Sequence, residues 1–238
     1  MIETNDLTVR VFADGADISE VRKLAADPLI AGFTTNPTLM RKAAVDDYEQ
    51  FAHEFLECVP DRPISFEVFS DEFDEMERQA RKIAAWGDNV YVKIPITNTV
   101  GTSSLDLVRR LSTDGVQLNI TALLTDEQVV ATAETLEGGS AAFVSVFAGR
   151  IADTGRDPEP IMVRALDTLR PLPGLELIWA SPREVLNIAQ ADRIGCHVIT
   201  VTPDLLAKLG LFGKDLGEFS LDTVRMFHRD AAAAGYAL

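Results

Sequence analysis

Short runs of apolar and β-branched residues alternate along this 238-residue chain with longer stretches in which apolar positions recur every three or four residues. The short runs read as strands over residues 8–13, 29–34, 63–67, 89–93, 116–119, 141–145, 176–180 and 197–200. The longer stretches between them read as helices over 18–26, 46–58, 72–86, 104–112, 126–135, 158–169, 182–189 and 203–209, and a further helix follows over 221–233. The helical period is plain in Met76, Ala80, Ile83 and Ala84, one apolar stripe at i, i+4, i+7 and i+8. Asp126 and Pro203 stand where a helix start favours a cap or a first-turn proline.

Strand and helix in strict alternation, eight times over, predict an α/β fold: a single (β/α)8 TIM barrel over residues 1–210, with an additional C-terminal helix in an extension over 211–238. The competing architecture is an open doubly wound sheet. Its nucleotide-binding form lacks support, because no glycine-rich loop follows the first strand and no GxGxxG occurs. No repeat, low-complexity segment or linker divides the chain.

A barrel gathers its chemistry at the carboxyl ends of its strands. Asp14 follows the first strand and Asn36 the second; Glu67 ends the third and Lys93 the fourth. Asn119 ends the fifth with Thr121 just beyond, Ser145 ends the sixth with Phe147 and Arg150 after it, and the seventh runs into Ser181 and Arg183. Lys93 is the anomaly, a lysine in the apolar run Val90-Tyr91-Val92-Lys93-Ile94. Desolvating an ammonium is costly, and burial favours the neutral amine, a nucleophile towards carbonyls. Lys93 is therefore a Schiff-base candidate; the plain alternative is a side chain snorkelling from an edge strand. Asp14 and Ser181 also read as helix caps, Asn36 as a turn residue and Glu67 as a surface charge. Their joint occurrence at matching strand ends, around this lysine, argues for a site.

The formal net charge is −15. Nucleic acid and anionic membranes would be repelled, so neither is an expected partner. A small phosphorylated substrate remains open, since a few arginines can hold one phosphate. The two cysteines, Cys58 and Cys196, do not make a disulfide framework. The first six residues are polar and acidic, and no apolar run approaches the roughly 20 residues of a membrane helix, so the expected location is cytoplasmic. The histidines, His53, His197 and His228, are scattered and make no metal set. Beyond residue 210, Leu221, Val224 and Phe227 line one helical face. A closed barrel needs no further helix, so this face is expected to cover its own barrel or a neighbouring subunit.

Several segments carry a resemblance. Gly32-Phe33-Thr34-Thr35-Asn36-Pro37-Thr38 resembles the signature that follows the second strand in transaldolases. Val92-Lys93-Ile94-Pro95 is similar to their Schiff-base strand and Leu118-Asn119-Ile120-Thr121 to their Asn-x-Thr. Ser145-Val146-Phe147-Ala148-Gly149-Arg150-Ile151 is similar to their Ser-x-Phe-x-Gly-Arg-Ile, and Ala180-Ser181-Pro182-Arg183 to their phosphate segment, here with Pro182 inside it. Asp14 occupies the first-strand aspartate position. The resemblance runs from about residue 8 to 210, with the motifs in order.

The resemblance implies a transaldolase family enzyme that needs no cofactor or metal and acts on sugar phosphates. Lys93 would form the imine and Asp14 would be the general acid/base. Glu67 and Thr121 would hold a water that relays protons. Asn36, Asn119 and Ser145 would bind the dihydroxyacetone unit, and Arg150, Ser181 and Arg183 the phosphate. Fructose-6-phosphate aldolases belong to the same superfamily, with Gln and Tyr where this chain has Glu67 and Phe147. Both positions favour the transferase. The alternatives are an aldolase-type lyase that releases free dihydroxyacetone, a transaldolase-like enzyme for another sugar, and a non-catalytic binding protein. The intact Lys93, Asp14, Glu67 and Thr121 set argues against the last. Short members of the family form rings of barrels, which implies a homo-oligomer.

Overall fold

In the computed structural model, which describes residues 6–236, eight parallel strands close into a barrel in chain order. They are β1 (Arg10–Asp14), β2 (Ile30–Thr34), β3 (Ile64–Glu67), β4 (Val90–Pro95), β5 (Leu118–Leu123), β6 (Ala142–Val146), β7 (Leu175–Trp179) and β8 (Val198–Val201). Closure comes from β1, which pairs with β2 on one side and β8 on the other. The helices are α1 (Ile18–Ala25), α2 (Pro37–Lys42), α3 (Tyr48–Cys58), α4 (Phe73–Ala84), α5 (Leu105–Thr113), α6 (Asp126–Leu136), α7 (Ala148–Asp153), α8 (Glu159–Leu169), α9 (Leu186–Arg193), α10 (Pro203–Leu206) and α11 (Leu216–Ala234). None of them is long and apolar enough to cross a membrane.

The main core fills the layer between sheet and helices. Phe33 of β2, Phe51 and Phe55 of α3 and Phe66 of β3 pack edge to face there. A smaller cluster of Phe12, Phe143, Ile178, Ala180 and Val198 is separate from it. Phe12 and Phe143 meet edge-on with centroids 5.6 Å apart. Gly32 makes room for this cluster, because a Cβ there would lie 2.6 Å from the Phe12 ring.

Each predicted strand and each predicted long helix forms, and the differences lie at their ends. β4 runs on to Pro95 and β5 to Leu123, beyond the predicted ends at residues 93 and 119. A proline at the last position of a strand forfeits only one terminal ladder bond. The cap of α6 is Thr125 and not Asp126, in a capping box with Gln128. The helix predicted over 182–189 is shifted to Leu186–Arg193, because Ser181 takes a left-handed φ of 61° and the Asn187 side chain accepts from the backbone N–H of Arg183 and Glu184. The stretch 203–209 divides into α10 and a 3-10 turn at Leu209–Leu211, across the boundary drawn at residue 210. α2 and α7 occupy stretches read as loops, each only 6 residues long.

The last helix begins at Leu216, not at 221, with Asp215 as its cap. No residue of α11 is buried in the single chain. Leu221, Val224 and Phe227 are 48%, 59% and 62% exposed, so the helix does not fold back over its own barrel.

Candidate active site

Strand pairing lays the polar strand ends side by side. Glu67 of β3 is in register with Lys93 of β4, Lys93 with Asn119 of β5, and Asp14 of β1 with Thr34 of β2. Side chains two apart on a strand share a face, so Asn119 and Thr121 point the same way. Between Ile120 and Leu123 the β5–β6 register shifts, and Ala122 sits at a left-handed φ of 65°. Such an irregularity bends the strand and re-aims its side chains. The result is a cavity of about 580 Å³ at the carboxyl ends of the strands. Asp14, Asn36, Glu67, Lys93, Asn119, Thr121, Ser145, Phe147, Arg150, Ser181 and Arg183, the residues singled out in the sequence, all line it.

Lys93 is buried, with 6% of its surface exposed, so it does not snorkel. Its Nζ lies 3.1 Å from Glu67 Oε2 and donates to the backbone carbonyl of Thr35 at 2.9 Å. A buried cation stripped of such a partner would cost about 3–5 kcal/mol. Asp14 accepts from the Thr34 hydroxyl at 2.8 Å and from Asn36 Nδ2 at 3.2 Å. Burial raises the Asp14 carboxyl above the usual aspartate range, and the Glu67 charge adds to that. The Lys93 charge and the two hydrogen bonds pull the other way.

Asn36 serves two purposes at once. Its Oδ1 accepts from Leu39 N at 3.0 Å as the cap of α2, which turns Nδ2 towards Asp14. Asn119 is held likewise: its Nδ2 donates to Ser65 Oγ at 2.9 Å, and its Oδ1 accepts from Ser145 Oγ at 2.7 Å. One amide hydrogen of Asn119 stays available to a ligand. The Thr121 hydroxyl is buried and has no hydrogen-bond partner. Leaving such a group unsatisfied costs about 1–3 kcal/mol, which favours a ligand or water that supplies the bond.

At the rim, the Arg150 guanidinium stacks over the Phe147 ring at 5.2 Å. Arg183 is gripped in a fork by Asp153, with Nε–Oδ1 at 3.0 Å and Nη2–Oδ2 at 2.5 Å. The fork holds the Asp153 carboxyl below the usual range, and the Arg150 charge adds to this. It also fixes the guanidinium plane and leaves Nη1 for another anion. α7 and the Ser181 segment touch at Gly149, where a Cβ would stand 1.6 Å from the Ser181 carbonyl oxygen.

Sequence reasoning missed Thr34, Ser65, Thr200 and Asp153. The first three are the polar inward positions of otherwise apolar strands, and that parity was the available signal. Asp153 had none, because its partner lies 30 residues away on another loop. Among the described residues, no three His, Cys, Asp or Glu side chains form a group that could hold a metal ion.

Comparison with known proteins places the chain in a family. The sequence profile of the Transaldolase/Fructose-6-phosphate aldolase family matches residues 11–237. A "Probable transaldolase" of Dehalococcoides mccartyi is 34% identical over 203 residues, covering 84% of this chain and 90% of that protein. A "Probable transaldolase 2" of Listeria monocytogenes is also 34% identical over 203 residues, covering 84% of this chain and 88% of its own length. Among solved structures, 2,3-dimethylmalate lyase superposes with a TM-score of 0.56 at 12% identity, over 99% of this chain and 90% of that one. KGPDC from Streptococcus mutans does so at 0.55 and 10%, over 82% and 88%. At such low identity these structures speak for the barrel fold alone. The family match and the two relatives cover most of the chain: it belongs to the transaldolase/fructose-6-phosphate aldolase family.

Proposed function

We propose that the chain is a transaldolase, moving a dihydroxyacetone unit from a ketose phosphate, fructose 6-phosphate or sedoheptulose 7-phosphate, to an aldose phosphate through a Schiff base on Lys93. The observation that carries this reading is the buried Lys93 amine, 3.1 Å from the Glu67 carboxylate, in one cavity with a half-buried Asp14.

The Lys93 amine adds to the C2 ketone, and loss of water gives the protonated imine. Glu67 and the unpartnered Thr121 hydroxyl suit a water that carries protons in that step and in the final hydrolysis. Asp14 takes the proton of the C4 hydroxyl. The C3–C4 bond then breaks: its electron pair moves into the iminium to give an enamine, and the aldose phosphate leaves. An acceptor aldehyde takes its place, the enamine attacks it, and Asp14 returns the proton to the new alkoxide. Asn36, Asn119 and Ser145 hold the hydroxyls of the retained unit, and Arg150, Ser181 and Arg183 bind the phosphate. Glu67 and Phe147 favour transfer over release.

The test is a coupled assay of glyceraldehyde 3-phosphate formed from fructose 6-phosphate, with and without erythrose 4-phosphate. Steady turnover is expected only with the acceptor. Equal turnover without it would make the enzyme a lyase that frees dihydroxyacetone. No product in either case would point to a different sugar.

The exposed apolar face of α11 supports a homo-oligomer, and the two free cysteines suit a cytoplasmic location. Light scattering is expected to report several subunits for the intact protein and fewer for Val224→Asp/Phe227→Asp. Two charges on an exposed face leave the barrel folded, so an unchanged mass in that variant would exclude α11 from the interface.

A further inference from the structure

The proposed reaction leaves one buried polar pair unused. Thr34 on β2 and Thr200 on β8 lie on either side of β1, and their hydroxyl oxygens are 2.5 Å apart. Both residues are buried. Thr34 also meets Asp14 Oδ1 at 2.8 Å. A hydroxyl has one proton to give. An ionised Asp14 can only accept, so Thr34 gives its proton there, and the contact with Thr200 then runs from Thr200 to Thr34. Two hydroxyls in series can also turn round: once Asp14 carries the proton taken from substrate, Thr34 can accept. Asn36 lacks this freedom, since its Nδ2 only donates and its Oδ1 is committed to Leu39 N.

The geometry points to Thr200 as a positioning residue for Asp14, acting through Thr34 to fix the carboxylate and to favour its ionised form. This rests on the reading of Asp14 as the general acid/base. A hydroxyl that accepts a hydrogen bond becomes a better donor, so losing Thr200 weakens the bond from Thr34 to Asp14. The charged groups facing Asp14 are Lys93 on β4, which favours ionisation, and Glu67 on β3, which opposes it. Neutral groups come from Thr34 on β2, Asn36 at the cap of α2 and Thr200 on β8, while Arg150, Arg183 and, on α10, Asp204 line the same cavity. Burial already pushes the carboxyl up, and a weakened donor pushes it further.

Thr200→Val keeps the side-chain shape and removes the hydroxyl. In 13C-carboxyl titration of the free enzyme, with the Asp14 signal identified by its loss in Asp14→Asn, the midpoint is expected to rise by about half a pH unit or more. The acid limb of the kcat profile is expected to move up with it, with kcat reduced about threefold or more at low pH and KM within about twofold. Thr200→Ser should restore both. Should the valine variant not fold, Thr200→Ala takes the same titration. An Asp14 midpoint unmoved by loss of the hydroxyl overturns the proposal, and so does a serine variant that behaves like valine. If the wild type transfers no dihydroxyacetone, the reading of function fails, while the titration still decides the role of Thr200.

Discussion

Replacing Lys93 with alanine is expected to lower kcat by about 10⁴-fold or more, the order expected when a covalent nucleophile is removed. No neighbour can stand in, because the other charged groups close to Lys93 and Asp14 are carboxylates. Sodium borohydride supplies a second measurement. Added with fructose 6-phosphate, it should reduce the imine to a secondary amine and leave a dihydroxyacetone or ketose adduct on Lys93, found by mass spectrometry of the digested protein. Lys93→Ala should take up no adduct. The variant also strips Glu67 of its cationic neighbour, so its folding is checked by circular dichroism. A folded Lys93→Ala that keeps wild-type turnover, or an adduct on another lysine, would end the Schiff-base reading.

The second large effect is expected from a single methyl group at Gly149. In Gly149→Ala the new Cβ would lie 1.6 Å from the Ser181 carbonyl oxygen and 2.7 Å from its carbonyl carbon. These are backbone atoms and cannot rotate away as a side chain would. Ser181 already sits at a φ of 61°, a conformation that costs a non-glycine residue about 1–3 kcal/mol and leaves little room to adjust. The Ser181 segment must therefore move off α7 and take Arg183 with it. We expect a loss of about 3 kcal/mol in stability by denaturant unfolding. The KM for phosphorylated ketoses should rise about tenfold or more, with a smaller change for unphosphorylated ones. Wild-type stability together with wild-type KM would mean that the contact at Gly149 does not set the position of Arg183.

What the sequence made legible follows from chemical contrast. Lys93 stands out because a lysine among Val90, Val92 and Ile94 contradicts the cost of burying a charge. The barrel stands out because alternation of two periods is repeated along nearly the whole chain. Thr34 and Thr200 do not stand out, because threonine is an ordinary strand residue and only closure of the barrel brings these two together across β1. Arg183 was legible as a phosphate ligand candidate, but its fork with Asp153 was not, since nothing in either local sequence refers to the other. The sequence pattern starts α9 at residue 182, but the left-handed turn at Ser181 comes just before and the helix begins at Leu186. α2 and α7 are too short to show a period. The start of α11 was missed because Gly217 interrupts its first turn, where the Asp215 cap compensates.

The cluster of Phe12, Phe143, Ile178 and Val198 has a consequence for traffic. It fills the barrel interior, with Phe12 fully buried and Gly32 pared back to admit its ring. A tube stoppered in this way is a cul-de-sac, entered and left by the same door. In the proposed transfer, the departing aldehyde and the arriving one would use that door in turn, and the enzyme would wait, holding half of its cargo covalently, while the visitors change places.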